Sequence, residues 1–388
     1  MRNWTLFHVW GIPIRVNITL LVFLPALAYL ISREATIGAY IDLLEAIGPH
    51  TFDLAALTDG TMPWLIGFGA AFGLFVGVTL HELGHSWMAM RYEIGITSIT
   101  LWIFGGLARL EDIPEDWNIE FNIAIAGPVT SVLVGVFVYV VYLVLPNVSD
   151  PLLFVIGFVA MINIVLAVFN MLPAFPMDGG RIFRALLARN RPWVEATRTA
   201  ATVGKGFAIA MALLGLLAFA PLLILVAMFV YIAAGAESRV TVLRDLFRGI
   251  TVAEVMRPID DPPSREMTVQ EGLETMMTRR VTGFPIIGAD EEYVGFVSLR
   301  QIQGVEAGDR GTKSLGDIAR TDLPILSPDM DAFEVLQVFA EHRTDRLPVV
   351  EDGRLAGVIS NQNFVEAIEV FQGLRTASSD LLPGKGYP

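Results

Sequence analysis

Long apolar runs alternate with short polar breaks over the first 240 residues, and the run lengths can be tested against the span of a bilayer. A helix needs about 20 apolar residues to cross the hydrocarbon core. The candidates are Ile18–Ile31, Trp64–Ala89, Phe121–Leu145 and Leu152–Phe175, with Val203–Ala236 long enough for two spans hinged near Pro221. The pattern predicts six crossings. Ile96–Leu110 is apolar but too short to span, and its Thr, Ile, Trp and Phe content around Gly105-Gly106 predicts a β-hairpin at membrane depth. Beyond Gly249 no run is long enough to span, and β-branched pairs alternate with helix-like stretches.

That second half repeats itself at an offset of 63 residues. Phe284-Pro-Ile-Ile287 aligns with Leu347-Pro-Val-Val350, Glu271 with Glu334 and Leu273 with Leu336. Each copy reads helix, strand, turn, strand, helix. One copy alone has too little core, and two can bury their sheets together. The predicted division is a membrane unit over 1–240, a linker over 241–249, repeats over 250–305 and 313–371, and a flexible tail over 372–388.

Composition sharpens this outline. With 54% hydrophobic and 17% charged residues, the chain is too apolar for an ordinary soluble protein. No cysteine is present, which removes thiolate metal sites, disulfides and a cysteine nucleophile together. Arg181, Arg184, Arg189, Arg191, Arg198 and Lys205 crowd one short loop, while the loop from Ser32 to Met62 carries Glu34, Asp42, Glu45, Asp53 and Asp59 against Arg33. Basic residues mark the cytosolic side. Six crossings then put both termini and the repeat pair in the cytosol. The net charge is −13, and from Thr241 onward 24 acidic residues face 15 basic ones. An acidic surface with three lysines in the whole chain argues against nucleic acid, and it would suit a high-salt cytoplasm.

Two polar clusters interrupt the apolar pattern. His81, Glu82 and His85 lie inside the second run, where such side chains cost several kcal/mol unless paired or bound. Residues four apart share one helix face, so both imidazoles can point at one cation with Glu82 beside them. This is the His-Glu-x-x-His arrangement of zinc hydrolases, two nitrogen ligands plus a carboxylate that takes a proton from water. The alternative is an ion path through a transporter or channel. A catalytic zinc needs a third protein ligand. Asp178, in FNMLPAFPMDGGRIF, is the conspicuous acid: Pro173 and Pro176 break the helix and Gly179-Gly180 permit tight turns after it.

These residues carry two family resemblances. His81-Glu82-Leu-Gly-His85, with Asn170-x-x-Pro173-x-x-Pro176-x-Asp178-Gly179-Gly180, resembles the site-2 protease family of intramembrane zinc metalloproteases. Phe104-Gly-Gly106 and Ala126-Gly-Pro128 are similar to that family's pattern as well. The resemblance implies one Zn²⁺ held by His81, His85 and Asp178, Glu82 as general base, and Asn170 steadying the oxyanion. It also implies transmembrane protein substrates within the lipid bilayer, cleaved in or beside their spans.

Residues 250 to 370 resemble a tandem pair of CBS domains, a module that often binds adenine nucleotides. The family's ribose-contacting Ser/Thr-x-x-Asp falls here on Ser298…Gln301 and Ser360…Asn363, with an amide in place of each acid. The pair is expected to regulate the membrane unit or to form a homodimer. The fold class expected is therefore a multi-pass α-helical membrane protein with an embedded β-hairpin, joined to a cytosolic α/β tandem CBS module.

Overall fold

The computed structural model describes residues 3–103, 105–110, 115–146, 149–342 and 344–370. Phe104 of the hairpin motif, Phe371 and the tail over 372–388 lie outside the described residues. The chain divides into two compact units, Met1–Arg239 and Val240–Pro388.

The first unit opens with a hairpin, β1 (Asn3–Val9) and β2 (Ile12–Asn17). Its turn residues Trp10 and Gly11 both have positive φ, 51° and 81°, as a two-residue hairpin turn demands. Asn17 then caps α1 (Ile18–Ser32), accepting from the Thr19 amide at 3.0 Å. There follow α2 (Glu34–Ile47), α3 (Leu54–Thr58), α4 (Met62–Arg91), β3 (Ile96–Trp102), β4 (Gly105–Leu110) and α5 (Trp117–Val144). Then come α6 (Asp150–Asn170), α7 (Asp178–Ala188), α8 (Trp193–Leu217) and α9 (Pro221–Leu246).

Among the described residues, α4, α5, α6, α8 and α9 are long and apolar enough to cross a membrane. The first predicted crossing differs from expectation. α1 has 15 residues, about 22 Å of rise, short of the ~30 Å core, and α2 leaves it at 68°. Counting that bent pair as one span gives six. The fourth run also ends earlier than predicted, at Asn170, because Pro173 and Pro176 follow. The fifth block extends outward at both ends, since Pro192 can cap α8 and α9 continues through polar residues to Leu246.

The predicted β3–β4 hairpin is present, but it belongs to a four-stranded sheet ordered β1-β2-β3-β4, with β2 and β3 parallel. The partner hairpin was absent from the sequence expectation. β1 is exposed on both faces and so lacks the period-two signature; only β2 alternates cleanly, turning Ile12, Ile14 and Val16 inward. These pack with Leu20, Phe75, Val78, Ile99 and Leu101. The sheet therefore leans on α1 and the middle of α4.

α4 is the central helix, and small residues let its neighbours close in. A Cβ on Gly67 would overlap the Ala28 carbonyl of α1, and one on Gly84 would lie 2.9 Å from the Ala126 carbonyl of α5. Gly77 meets Asn163 of α6 in the same way.

The second unit holds α10 (Val252–Val255), α11 (Val269–Arg279), β5 (Gly283–Ile287), β6 (Tyr293–Ser298), α12 (Leu299–Gln303), α13 (Ala332–His342), β7 (Arg346–Glu351) and β8 (Arg354–Ser360), with a last helix over 361–370. The two strand pairs are antiparallel. Each repeat has its own core, one around Val269, Phe284, Ile286 and Val297, the other around Phe333, Leu347, Val349 and Ile359. Each also borrows a segment from across the repeat boundary. Val252 and Val255 lie in the second core and Leu315 in the first. Backbone bonds pin them: Arg257 exchanges both bonds with Val358, and Phe296 both with Arg320, all at 2.9 Å.

Candidate metal centre

His81 and His85 project from one face of α4, and Asp178 is the first residue of α7. The chain reaches α7 through a tight irregular turn after Asn170, in which the Ala174 amide donates to the Leu172 carbonyl at 2.7 Å. Gly179 and Gly180 are required there. A Cβ on Gly179 would overlap the Met171 and Leu172 backbone, and one on Gly180 would stand 2.6 Å from the Phe175 nitrogen. Only glycines let the first turn of α7 press against that loop and carry Asp178 inward.

The three side chains converge. His81 Nε2 lies 3.0 Å and His85 Nε2 3.2 Å from Asp178 Oδ2, and the two nitrogens are 3.2 Å apart. His81 and Asp178 are buried and His85 is nearly so, with 12% of its side chain exposed, and the three ligand-type atoms lie within 4.8 Å of one another. His85 Nδ1 donates to the Ile123 carbonyl at 2.7 Å, which leaves the Nε2 lone pair facing the cluster. His81 Nδ1 sits 2.9 Å from Ser131 Oγ, and donation to that hydroxyl turns its Nε2 lone pair inward too. Two lone pairs and a carboxylate oxygen then aim at one point, which is repulsive unless positive charge occupies it. Ligands about 2.0–2.1 Å from a tetrahedral zinc stand about 3.3–3.4 Å apart, close to the spacings found. Two imidazoles and one carboxylate suit that ion, with a fourth position left open.

Gly127 stands directly over the cluster. A Cβ there would overlap His85 and come within 2.8 Å of His81 Nε2. Glu82 is buried next to this cluster in sequence, and Gly106 of β4 lies against its carboxyl, where a Cβ would stand 2.8 Å from Oε1. Asn170 closes α6 half-buried, its Nδ2 donating to the Leu166 carbonyl at 3.1 Å. No hydrogen bond joins it to the cluster among the described residues. Ser131 and the Ile123 carbonyl were not foreseen. A serine inside the third apolar run is a detectable anomaly, whereas a backbone carbonyl leaves no mark in a sequence.

In the second unit, Gln301 Oε1 accepts from the Ser298 amide and hydroxyl at 2.8 Å each, and its Nε2 donates to the Ile318 carbonyl. Asn363 Oδ1 accepts from the Ser360 amide and hydroxyl at 2.8 and 2.7 Å. Both amides thus close local capping turns. A cavity of about 60 Å³ lies beside the first, lined by Thr282, Ser298, Gln301, Arg320, Asp345 and Arg346 among others.

Peptidase family M50 matches residues 69–152 and 146–214, and the CBS domain matches residues 252–307 and 315–370. A zinc metalloprotease of Methanocaldococcus jannaschii is 33% identical over 369 residues, 95% of this chain and 96% of that one. Rip3 of Mycobacterium tuberculosis is 30% identical over 360 residues, 87% of this chain and 91% of that one. A solved site-2 protease from M. jannaschii aligns with 61% of this chain and 95% of its own at 32% identity, with a TM-score of 0.42.

A His-His-Asp cluster packed among apolar helices, and kinship over nearly the whole chain, have one meaning: the chain belongs to peptidase family M50, the site-2 protease family of zinc metalloproteases, and carries a CBS pair. It is a membrane protein and a zinc metallo-endopeptidase acting on transmembrane substrates. The transporter or channel alternative is not favoured.

Proposed function

We propose that His81, His85 and Asp178 hold the zinc, that Glu82 is the general base and that Asn170 serves the oxyanion. The convergence of three ligand atoms within 4.8 Å, on a carboxylate 93 positions beyond the second histidine, carries this reading. Bound there, zinc supplies Lewis acidity, making water more acidic and a peptide carbonyl more electrophilic. Glu82 takes the proton from the attacking water and returns it to the leaving amine. Asn170, at the end of α6, turns its amide from the Leu166 carbonyl toward the developing negative oxygen.

Six crossings with the bent α1–α2 pair as the first put both termini and the CBS pair on the cytosolic side. His85 then stands six residues, roughly 9 Å, inside Arg91 at the cytosolic surface. Water enters from that side. A substrate helix has to unwind before its peptide bond is accessible. β4 is an edge strand with Gly106 against Glu82, so the embedded β3–β4 hairpin offers the unwound segment a strand to pair with.

The CBS pair regulates this activity and supports a homodimer. The 60 Å³ cavity is far below the roughly 300 Å³ of a drug-sized site, so an adenine nucleotide requires Gln301 to release Ile318. Residues 241–249 serve as the linker between the membrane unit and the repeats, helical through Leu246 as the end of α9 and a turn beyond it.

The deciding experiment compares wild type with Glu82→Gln on a single-span substrate in proteoliposomes. The expected outcome is one zinc per chain in both and a loss of cleavage of at least about 10³-fold in the variant, the scale of a lost general base plus its positioning. Full cleavage by a zinc-loaded Glu82→Gln protein would sink the assignment.

A further inference from the structure

One buried guanidinium lies outside the ligand cluster, and no step of hydrolysis uses it. Arg184 is 4% exposed and sits on α7 six residues after Asp178. Its Nε donates to both carboxylate oxygens of Glu120 on α5, at 3.0 and 3.1 Å, and its Nη2 donates to the same group. Its Nη1 donates to Glu237 on α9 at 2.7 Å. The rings of Phe175 and Trp193 each lie 5.0 Å from the guanidinium carbon. A planar cation is thus boxed by two carboxylates and two rings.

Stability is a poor reason for this network. Desolvating so many charges offsets most of their attraction, and apolar side chains of similar volume usually do as well. What a guanidinium adds is directional geometry, five donors in a rigid fork. Two of the three elements it joins, α7 and α5, bear directly on the site. α7 begins at Asp178. α5 carries Glu120 three residues, roughly 4.5 Å of rise, before Ile123, whose carbonyl fixes His85. The same helix carries Ser131, the partner of His81.

We infer that Arg184 is a positioning residue: it locks α7 against α5 so that the Asp178 carboxylate meets the two imidazoles at the spacing a zinc ion requires. Glu237 provides a second, partly exposed arm on α9. The inference rests on the metalloprotease reading above. A ligand displaced by about 1 Å is a large loss for a site whose geometry must hold within about 0.5 Å.

The test uses the full chain in detergent, comparing wild type, Arg184→Lys and Glu237→Gln. Zinc affinity is measured by competition with a chelator, the visible spectrum after cobalt substitution reports ligand geometry, and thermal unfolding is followed alongside. An ammonium lacks the fork, so Arg184→Lys is expected to weaken zinc about 10- to 100-fold and shift the cobalt bands, the range seen for lost outer partners of ligands. Glu237→Gln keeps the Glu120 pair and should move both in the same direction by less. A lower unfolding temperature with unchanged zinc affinity and cobalt spectrum in both variants would mean a merely structural ion pair and overturn the inference. A wild type that binds no zinc would instead sink the metalloprotease reading itself.

Discussion

At the scale of single residues, the site depends on protons fixed at atoms remote from the point where the three side chains converge. Ser131 Oγ and the Ile123 carbonyl hold the Nδ1 positions and thereby turn both Nε2 lone pairs toward Asp178. Ser131→Ala removes the partner of His81 and frees the ring to rotate or change tautomer. Its zinc dissociation constant should rise about 10-fold or more with the unfolding temperature nearly unchanged, as chelator competition and calorimetry would register. His81 and His85 were legible as a cluster because polar residues in an apolar run stand out and a four-residue spacing fixes their common face. The second partners were not, since their meaning lies in which helix lies opposite.

Among elements, the short turn between α6 and α7 decides where the Asp178 carboxylate goes. Gly179→Ala would drive a methyl group into the Met171 and Leu172 backbone. The expected cost is about 1–3 kcal/mol of stability, with Asp178 displaced and zinc content reduced; metal analysis of the purified variant beside its denaturant midpoint checks both. Proline and glycine spacing announced this break, and the structure supplies the reason for two consecutive glycines. The amino-terminal hairpin was illegible for the opposite reason. β1 is exposed on both faces, and its role comes from β2 pairing in parallel with β3, 85 residues away by register (Ile14 with Ile99). The bend between α1 and α2 was hidden too, because an apolar run reports its length and says nothing of its direction.

For the molecule as a whole, the acidic second unit carries its own dependence on pH. Hydrogen bonds from the Thr268 amide and hydroxyl hold the Glu271 carboxyl below its usual range, the Ser314 amide does the same for Asp317, and the Arg320 guanidinium for Asp322. A carboxyl whose pKa is lower folded than unfolded adds stability above its unfolded value, about 4, and that contribution fades as pH falls through the folded value. Hydrogen exchange of the full chain across pH 3 to 6 should therefore show the amides of residues 265–322 losing protection at the acid end, and unchanged protection would contradict the assignment.

The borrowed segments of the CBS pair carry a last consequence. Val252 and Val255 complete the second core, and Leu315 completes the first. Severing the backbone near Gly308 therefore yields two fragments that each own a missing piece of the other. Such fragments are natural candidates for reconstitution when co-expressed, and neither repeat is a portable cassette that can be grafted alone onto another enzyme.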